Sequence, residues 1–419
     1  MRYRNPFLKN ITASPAETHV RRLVRNWADR VVIPQRRLFD EDWKEHEIIE
    51  PAIKSLIADM GFQKALFPAE FGGWNLGQSD SPATFAGWLL EEVSRADSGI
   101  CMSLVLCFWP LVMITVKPHI NRRLCAEFAP LFKSDKPRFA AIAMTEPQGG
   151  CDIENIGLLR GRTIRTTALR DGDEWVITGH KLWPSNTGGT ADLFGVVCTT
   201  NPGSDDDRDI AYIYVPADLP GVTQGAPYEK AGMAADRNSD IWFEDVRVPL
   251  WYRAWGPGLD ALYFKEVMAF GGLASQVCTG VMINVYEILN DFCSRKTLRG
   301  VPLKEHDAVA AELSEIVTAL ETCRAAAFHL ASVLDRPDRH GPRWSDEIIA
   351  RSRACKMFVA DTCLRECERA MEILSAYGAD SEWDIEKHWR DLKIVQLFEG
   401  GKQLCQMETA RYYFDCKTL

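Results

Sequence analysis

The sequence predicts an α+β protein in which an N-terminal α-helical domain, a middle antiparallel β domain and a C-terminal four-helix bundle follow one another. Apolar residues recur at helical spacing from about residue 14 to 132 and again beyond residue 255, whereas between 139 and 248 the period shortens to that of strands. At 419 residues the chain exceeds what one hydrophobic core usually supports. We therefore expect domains at 1–135, 136–254 and 255–419.

The helical pattern begins almost at the start of the chain. Ser14-Pro15-Ala16-Glu17 has the form of a capping box with proline at the first helical position. An apolar stripe then runs from Val20 to Val31 at helical spacing. This segment is therefore predicted to belong to the fold and not to a cleaved leader.

The middle and C-terminal regions are separated by a Trp-Gly-Pro-Gly turn at residues 255–258. Five strand-like runs precede this turn, at 163–169, 174–177, 193–199, 210–215 and 241–246. Helical stripes follow it, at 277–292 and 313–320. A polar break at 335–345 separates these helices from a final pair.

Composition excludes several classes of protein. A net charge of −9 disfavours nucleic acid as a partner. We expect no membrane association, because no uninterrupted apolar run approaches the roughly 18 residues that span a bilayer. The 13 scattered cysteines indicate free thiols in a reducing compartment, which predicts a cytoplasmic location. Cys363 and Cys367 lie one helical turn apart, but no further ligands complete the spacing of a metal site, so none is predicted.

Three segments carry residue types suited to chemistry. At 144–152, glycines after a strand let the backbone approach a planar ligand, although an isolated Gly-Gly is usually only a turn. At 179–186, Trp183 could cover an aromatic ring and Ser185 could donate a hydrogen bond, or both could be ordinary core and turn residues. Near the C-terminus, Glu399 could act as a general base, or could simply end a helix before glycine.

Together, in this order and spacing, these segments resemble the acyl-CoA dehydrogenase family over essentially the whole chain, with atypical residues at several positions. The resemblance implies FAD as the cofactor. It implies that Met144 and Thr145 contact the flavin, that Trp183 covers one face of the ring, and that Ser185 donates a hydrogen bond to flavin N5. Cys151 stands where a serine usually contacts CoA.

The resemblance also implies contacts to the distal half of the cofactor. Lys296 would supply charge to the phosphates, and Arg299 would replace an aromatic residue near adenine. Glu372 stands in place of a cofactor-binding glutamine. Gly401 replaces a threonine, and Gln403 matches a cofactor-contacting glutamine.

For the substrate, the resemblance implies that Glu399 removes the α-proton of an acyl thioester. Asp97 is a second carboxylate in the region that forms the acyl pocket, with helix capping as the alternative. Phe108 and Trp109 would line that pocket, unless they are plain core residues. Gly271 replaces a family arginine and would leave more room for the acyl group.

The implied function is FAD-dependent α,β-dehydrogenation of an acyl-CoA to the 2,3-enoyl-CoA by a homotetramer that passes electrons to an electron-transfer flavoprotein. The departures from the family pattern suggest a branched, alicyclic or carboxyl-bearing acyl group, and straight chains remain open. One alternative is a flavoenzyme of the same fold with oxidase or eliminase chemistry. The other is a scaffold that has lost the flavin and serves only as a binding partner.

Overall fold

The computed structural model describes residues 6–8, 15–149 and 163–416. Ser14 of the predicted capping box and Cys151 of the predicted CoA contact lie outside these ranges. Within these ranges five α-helices form the N-terminal part, and the two longest of them are mostly buried. The five are α1 (Pro15–Trp27), α2 (Ile49–Lys54), α3 (Pro82–Ala96), α4 (Ser98–Thr115) and α5 (Arg122–Phe128).

A seven-stranded sheet forms the middle part. Its strands are β1 (Phe139–Ala143), β2 (Thr167–Asp171), β3 (Glu174–Lys181), β4 (Ala191–Thr199), β5 (Ile210–Pro216), β6 (Val222–Gln224) and β7 (Ile241–Pro249). The strand order is β1-β4-β2-β3-β7-β6, and β5 pairs with β4. The expected antiparallel pairing holds for β2–β3, β3–β7, β4–β5 and β6–β7 and is corrected at β4, to which β1 and β2 both run parallel. Alternation along one strand does not encode the direction of its neighbour.

The C-terminal part is again helical. Its helices are α6 (Leu259–Phe270), α7 (Ala274–Arg295), α8 (Asp307–Leu334), α9 (Pro337–His340), α10 (Asp346–Leu374), α11 (Ile385–Leu397) and α12 (Gly401–Phe414). Between α7 and α8 lies an exposed two-stranded hairpin, β8 (Thr297–Leu298) and β9 (Val301–Pro302). Helix α10 runs through the centre and packs against α7, α8, α11 and α12.

One hydrophobic core joins the first and last helical parts, and a smaller core fills the sheet. Two helical stretches, Ser98–Thr115 and Leu259–Arg295, are long and apolar enough to cross a membrane, contrary to the expectation from sequence. In the apolar 18-residue window of each stretch, 83% and 100% of the residues are buried inside the protein, as in core helices.

A buried ion cluster connects the three parts. Lys387 on α11 contacts Asp97 at 2.8 Å and Asp391 at 2.7 Å. Asp391 also accepts from the Ser98 hydroxyl at 2.7 Å and from the backbone N–H of Met233 at 2.6 Å. Burial alone would lower the pKa of Lys387, but the two carboxylates outweigh it and raise that pKa. The cluster therefore fixes α11 against both α4 and the segment that leads into β7.

Candidate active site

A cavity of about 610 Å³ lies where the end of β1, the turn after β3, helix α4 and the end of α11 meet. This volume is within the usual range for small-molecule sites, and most of the lining is apolar. The lining includes six of the residues singled out from sequence: Trp109, Met144, Thr145, Trp183, Ser185 and Glu399.

Glu399 lies in the tight turn between α11 and α12. Its backbone has φ +53°, a left-handed conformation that costs a non-glycine residue roughly 1 kcal/mol or more. Gly400 follows at φ +77°, where a Cβ would come within 2.2 Å of Leu404 Cδ2, so only glycine fits there. The turn thus holds the Glu399 side chain towards the cavity at the expense of backbone strain.

The environment of Glu399 makes its carboxylate basic. The residue is only 7% exposed, and burial raises its pKa to about 7, against the opposing charges of Lys356 and Arg353. Arg353 Nη1 is 3.7 Å from Oε2, beyond hydrogen-bond distance, and Lys356 Nζ donates to the Phe398 carbonyl at 2.6 Å. Within the described ranges Oε2 accepts no hydrogen bond. A carboxylate in this state can accept a proton near neutral pH.

Gly271 makes room for this carboxylate. A Cβ at Gly271 would lie 2.5 Å from Glu399 Oε2 and 2.9 Å from Cδ. Gly271 itself is not part of the cavity lining. The expectation that its missing side chain enlarges the acyl pocket is therefore corrected, because the Glu399 side chain occupies that space.

The segment that follows β1 is fixed by a buried ion pair. Lys181, at 0% exposure, donates to the Met144 carbonyl and to Glu146, both at 2.9 Å. Glu146 also accepts from the backbone N–H groups of Arg165 and Thr166. The backbone at Met144 and Thr145 is thereby held along one wall of the cavity.

Trp183 and Ser185 form the neighbouring wall in the turn after β3. Trp183 has φ +66° and leaves 53% of its surface exposed. The Ser185 hydroxyl lies 2.8 Å from Asp236 Oδ2, and the Asn238 side-chain amide donates to Ser185 Oγ at 3.2 Å. Burial raises the pKa of Asp236, and nearby Lys230 opposes this rise.

These walls fit a flavin ring. An open indole face, backbone groups at a strand end and a hydroxyl border one apolar cavity, and together they can enclose a planar aromatic heterocycle. Among the described residues, no group of three or more His, Cys, Asp or Glu side chains could hold a metal ion.

Other predicted site residues lie elsewhere. Asp97 is 1% exposed, caps α4 by accepting from the Ile100 backbone N–H, and contacts Lys387; it is not a cavity residue. Phe108 is buried in the shared helical core. Neither residue lines the cavity. In this structure Asp97 is a helix cap and Phe108 is a core residue, which are the alternatives that the sequence left open.

The predicted contacts to the distal half of the cofactor also lie outside the cavity lining. Lys296 precedes the β8–β9 hairpin, and its Nζ lies 3.2 Å from the Tyr377 hydroxyl. Arg299 is in the hairpin turn at φ +53°, and Glu372 is exposed near the end of α10. Gly401 and Gln403 are in the first turn of α12. The cofactor residues predicted from sequence thus form a cavity group and an outer group.

Sequence reasoning missed several residues that shape the site. The Glu146–Lys181 pair was detectable in part, because Lys181 and buried Ile177 share one face of β3 by alternation. Asp236, Asn238 and Lys230 lie in an irregular segment before β7, where no period marks inward-facing residues. In the sequence, nothing distinguishes Arg353 from other cations on a long helix, because its position near Glu399 depends on how α10 packs.

Known proteins are similar to this chain over most of its length. Models of the acyl-CoA dehydrogenase N-terminal, middle and C-terminal domains match residues 14–116, 141–246 and 271–412. Cyclohexane-1-carbonyl-CoA dehydrogenase of Syntrophus aciditrophicus (strain SB) is 25% identical over 87% of this chain and 88% of its own. The mitochondrial short-chain specific acyl-CoA dehydrogenase of Bos taurus is 27% identical over 94% of this chain and 89% of its own.

A solved structure shows the same fold. Butyryl-CoA dehydrogenase from Megasphaera elsdenii superimposes with a TM-score of 0.81 at 19% identity, covering 97% of this chain and 100% of that one. Fold and comparisons together define a flavin-dependent enzyme, in which a buried carboxylate borders the cavity. The chain belongs to the acyl-CoA dehydrogenase family. The predictions of the family, of its fold class and of an FAD-dependent oxidoreductase acting on acyl-CoA are confirmed.

Proposed function

We propose that the protein removes the α-proton of an acyl-CoA thioester with Glu399 and oxidises the substrate to the 2,3-enoyl-CoA. The observation that carries this proposal is a 7% exposed carboxylate with its pKa raised to about 7, facing a cavity suited to a flavin. Such a group is poised for proton abstraction next to a carbonyl.

Each part of the cavity contributes to this reaction. FAD, when bound, supplies the acceptor for the β-hydride. Glu399 takes the proton, and its backbone N–H would donate to the thioester oxygen as negative charge develops there. The apolar lining from α4 and α11 excludes water, which keeps the carboxylate weakly solvated and basic.

We propose a compact acyl group, either short and straight or alicyclic. The same cavity must hold the flavin ring and the acyl chain, so little volume remains for a long chain. Met102, Leu106 and Trp109 of α4 present an apolar wall that suits such a group. The curated relatives are named for a cyclohexane ring and for short chains, which supports the same size class.

Anaerobic titration tests this function. Loss of the flavin absorbance band is measured on adding butyryl-CoA, cyclohexane-1-carbonyl-CoA, a carboxyl-bearing acyl-CoA or palmitoyl-CoA. We expect one of the first two to bleach the flavin fastest. Absence of bleaching by every acyl-CoA would contradict the dehydrogenase function, and hydrogen peroxide formed stoichiometrically in air would indicate an oxidase instead.

The outer group of predicted cofactor residues supports a homotetramer, in which the Lys296 and Arg299 hairpin of one subunit would meet the cavity of another. The hairpin and helix α12 also carry exposed apolar side chains: Leu298, Val301, Tyr413 and Phe414. Light scattering during gel filtration checks the subunit number.

We further propose that an electron-transfer flavoprotein accepts the electrons from the reduced flavin. We also propose a cytoplasmic location and domain boundaries at 135/136 and 254/255.

The pH dependence of flavin reduction should follow Glu399. Because burial raises its pKa to about 7, the carboxylate is mostly protonated at pH 6 and ionised at pH 8. We expect kcat/KM to fall about tenfold per pH unit below 7 and to level off above it. Stopped-flow reduction between pH 5.5 and 9 measures this. A profile that is already level at pH 5.5 would contradict it.

A further inference from the structure

An arginine next to Glu399 is shared unequally between two carboxylates. Arg353 on α10 is 1% exposed, and its Nε donates to Glu408 Oε2 on α12 at 2.6 Å. Its Nη1 lies 3.7 Å from Glu399 Oε2, within ion-pair range but beyond the roughly 2.9 Å of a charge-assisted hydrogen bond. Of these two carboxylates, the guanidinium therefore hydrogen-bonds Glu408 and only faces Glu399.

The distance between Arg353 and Glu399 affects how readily Glu399 accepts a proton. Burial raises the pKa of Glu399, and Arg353 already opposes this rise from 3.7 Å. A guanidinium that pairs closely with a carboxylate lowers the pKa of that carboxylate by about 1 to 3. Both side chains are buried, so solvent screens their interaction little. A direct hydrogen bond from Arg353 would therefore make Glu399 a weaker base.

Other titratable groups also surround Glu399. Lys356 on α10 opposes the rise in the Glu399 pKa as well, and its Nζ donates to a backbone carbonyl at 2.6 Å. Burial raises the pKa of the Cys405 thiol on α12, which keeps it uncharged near pH 7. Residues 269–274 carry no charged side chain. Three charged residues line the cavity from the segment before β7: Glu229, Lys230 and Asp236. Arg353 is thus a cation near Glu399 whose position depends on a second carboxylate.

We propose that Glu408 is a positioning residue that holds the Arg353 guanidinium away from Glu399, so that Glu399 remains available to accept a proton. The proposal rests on the proposed function for the role of Glu399 as the base. The guanidinium is planar and rigid, so the bond from Nε to Glu408 also fixes where both Nη atoms lie. Loss of the Glu408 charge would let the guanidinium turn towards Glu399. If Glu408 only neutralised a buried cation, its loss would lower the stability of the fold and leave the pKa of Glu399 unchanged.

Carbon NMR of the oxidised holoenzyme tests this without turnover. Protein labelled with ¹³C at the glutamate δ-carbon is titrated between pH 4 and 9, and in each variant the Glu399 resonance is identified by its loss on adding Glu399→Gln. We expect Glu408→Gln to lower the midpoint of the Glu399 titration by at least about one pH unit. Arg353→Met should raise the midpoint. In the Arg353→Met background, Glu408→Gln should no longer lower it, because Glu408 acts through Arg353.

Asp361→Asn is the matched control. Asp361 on α10 pairs with Lys402 on α12, so this variant also removes an ion pair between α10 and α12. The second oxygen of Asp361 accepts from Gln396, and the Glu399 midpoint should not respond. Flavin reduction gives an independent measurement: Glu408→Gln should move the acid limb of kcat/KM to lower pH and lower the plateau at pH 8, because Glu399 becomes a weaker base. A merely structural role would lower the rate at every pH and leave the limb in place.

The outcomes separate this inference from the function on which it rests. A Glu399 midpoint that stays in place or rises in Glu408→Gln overturns the inference. If the single variants do not fold, Arg353→Met combined with Glu408→Leu leaves neither charge buried and should raise the midpoint, and an unchanged midpoint there overturns the inference as well. A protein that shows the expected midpoints but is not reduced by any acyl-CoA contradicts the proposed function, while the effect of Glu408 on Glu399 stands.

Discussion

Glu399→Gln is expected to slow flavin reduction by acyl-CoA about 10⁴-fold, the upper end of what a general base contributes. Glutamine keeps the size and the strained turn but cannot accept the α-proton. Binding of the enoyl-CoA product should change little, since the backbone N–H at residue 399 remains. Anaerobic stopped-flow measures the rate, and perturbation of the flavin spectrum by product measures the affinity.

The same substitution supplies its own control for folding. Burial raises the pKa of Glu399 from 4.5 to about 7. Between these two pH values Glu399 is ionised in the unfolded chain but still protonated in the folded protein. Each pH unit in this interval therefore lowers the free energy of unfolding by about 1.4 kcal/mol. Above pH 7 the total loss of unfolding free energy is about 3 kcal/mol, and the Glu399→Gln variant avoids this loss because glutamine is neutral. Glu399→Gln should therefore raise the Tm at pH 8 while it removes activity. Glu382→Gln, at an exposed position, should change neither. Retention of the parental rate in Glu399→Gln would show that another group is the base.

Gly271→Ala is expected to lower the rate of flavin reduction about 10²-fold, because displacing a reacting group by about 1 Å can have an effect of this size. The added Cβ would lie 2.5 Å from Glu399 Oε2, so the carboxylate must move. The backbone at Gly271 has φ −57°, which alanine adopts freely, and the displaced atoms end a flexible side chain. The fold should therefore persist.

A double-mutant cycle identifies the cause of this loss. In the Glu399→Gln background, Gly271→Ala should add little to the defect, because there is no longer a base to displace. If Gly271→Ala instead changes the preferred acyl length and leaves the rate on the best substrate intact, then Gly271 shapes the acyl pocket, as the sequence suggested.

The sequence predicts the parts of this protein that depend on local pattern. Helical and strand periods indicate the three regions, and the resemblance to the family assigns Met144, Trp183 and Glu399 to one site before any packing is known. It does not predict parallel pairing of β1 with β4, because strand direction depends on the neighbour. It also places Gly271 beside the acyl group, whereas the structure places it beside Glu399.

The missed residues share one physical property: their roles arise from burial across long separations in the chain. Asp236 acquires a role only when its segment packs on Ser185, and Arg353 only when α10 passes behind the turn at Glu399. Asp97 shows the opposite error, because its carboxylate is taken by Lys387 and the start of α4. Residue type and position in the sequence do not distinguish a carboxylate that can contact a substrate from one that is already paired within the protein.

The ion cluster around Lys387 limits how this protein can evolve. Helix α11 is fastened at one end to the N-terminal helices and the strand segment, and at its other end it presents Glu399. Splitting the chain would leave the Lys387 ammonium buried without Asp97, at a cost of several kcal/mol. Helix α11 therefore cannot be transferred to another scaffold as an independent module, and new specificity has to come from side chains around a fixed frame.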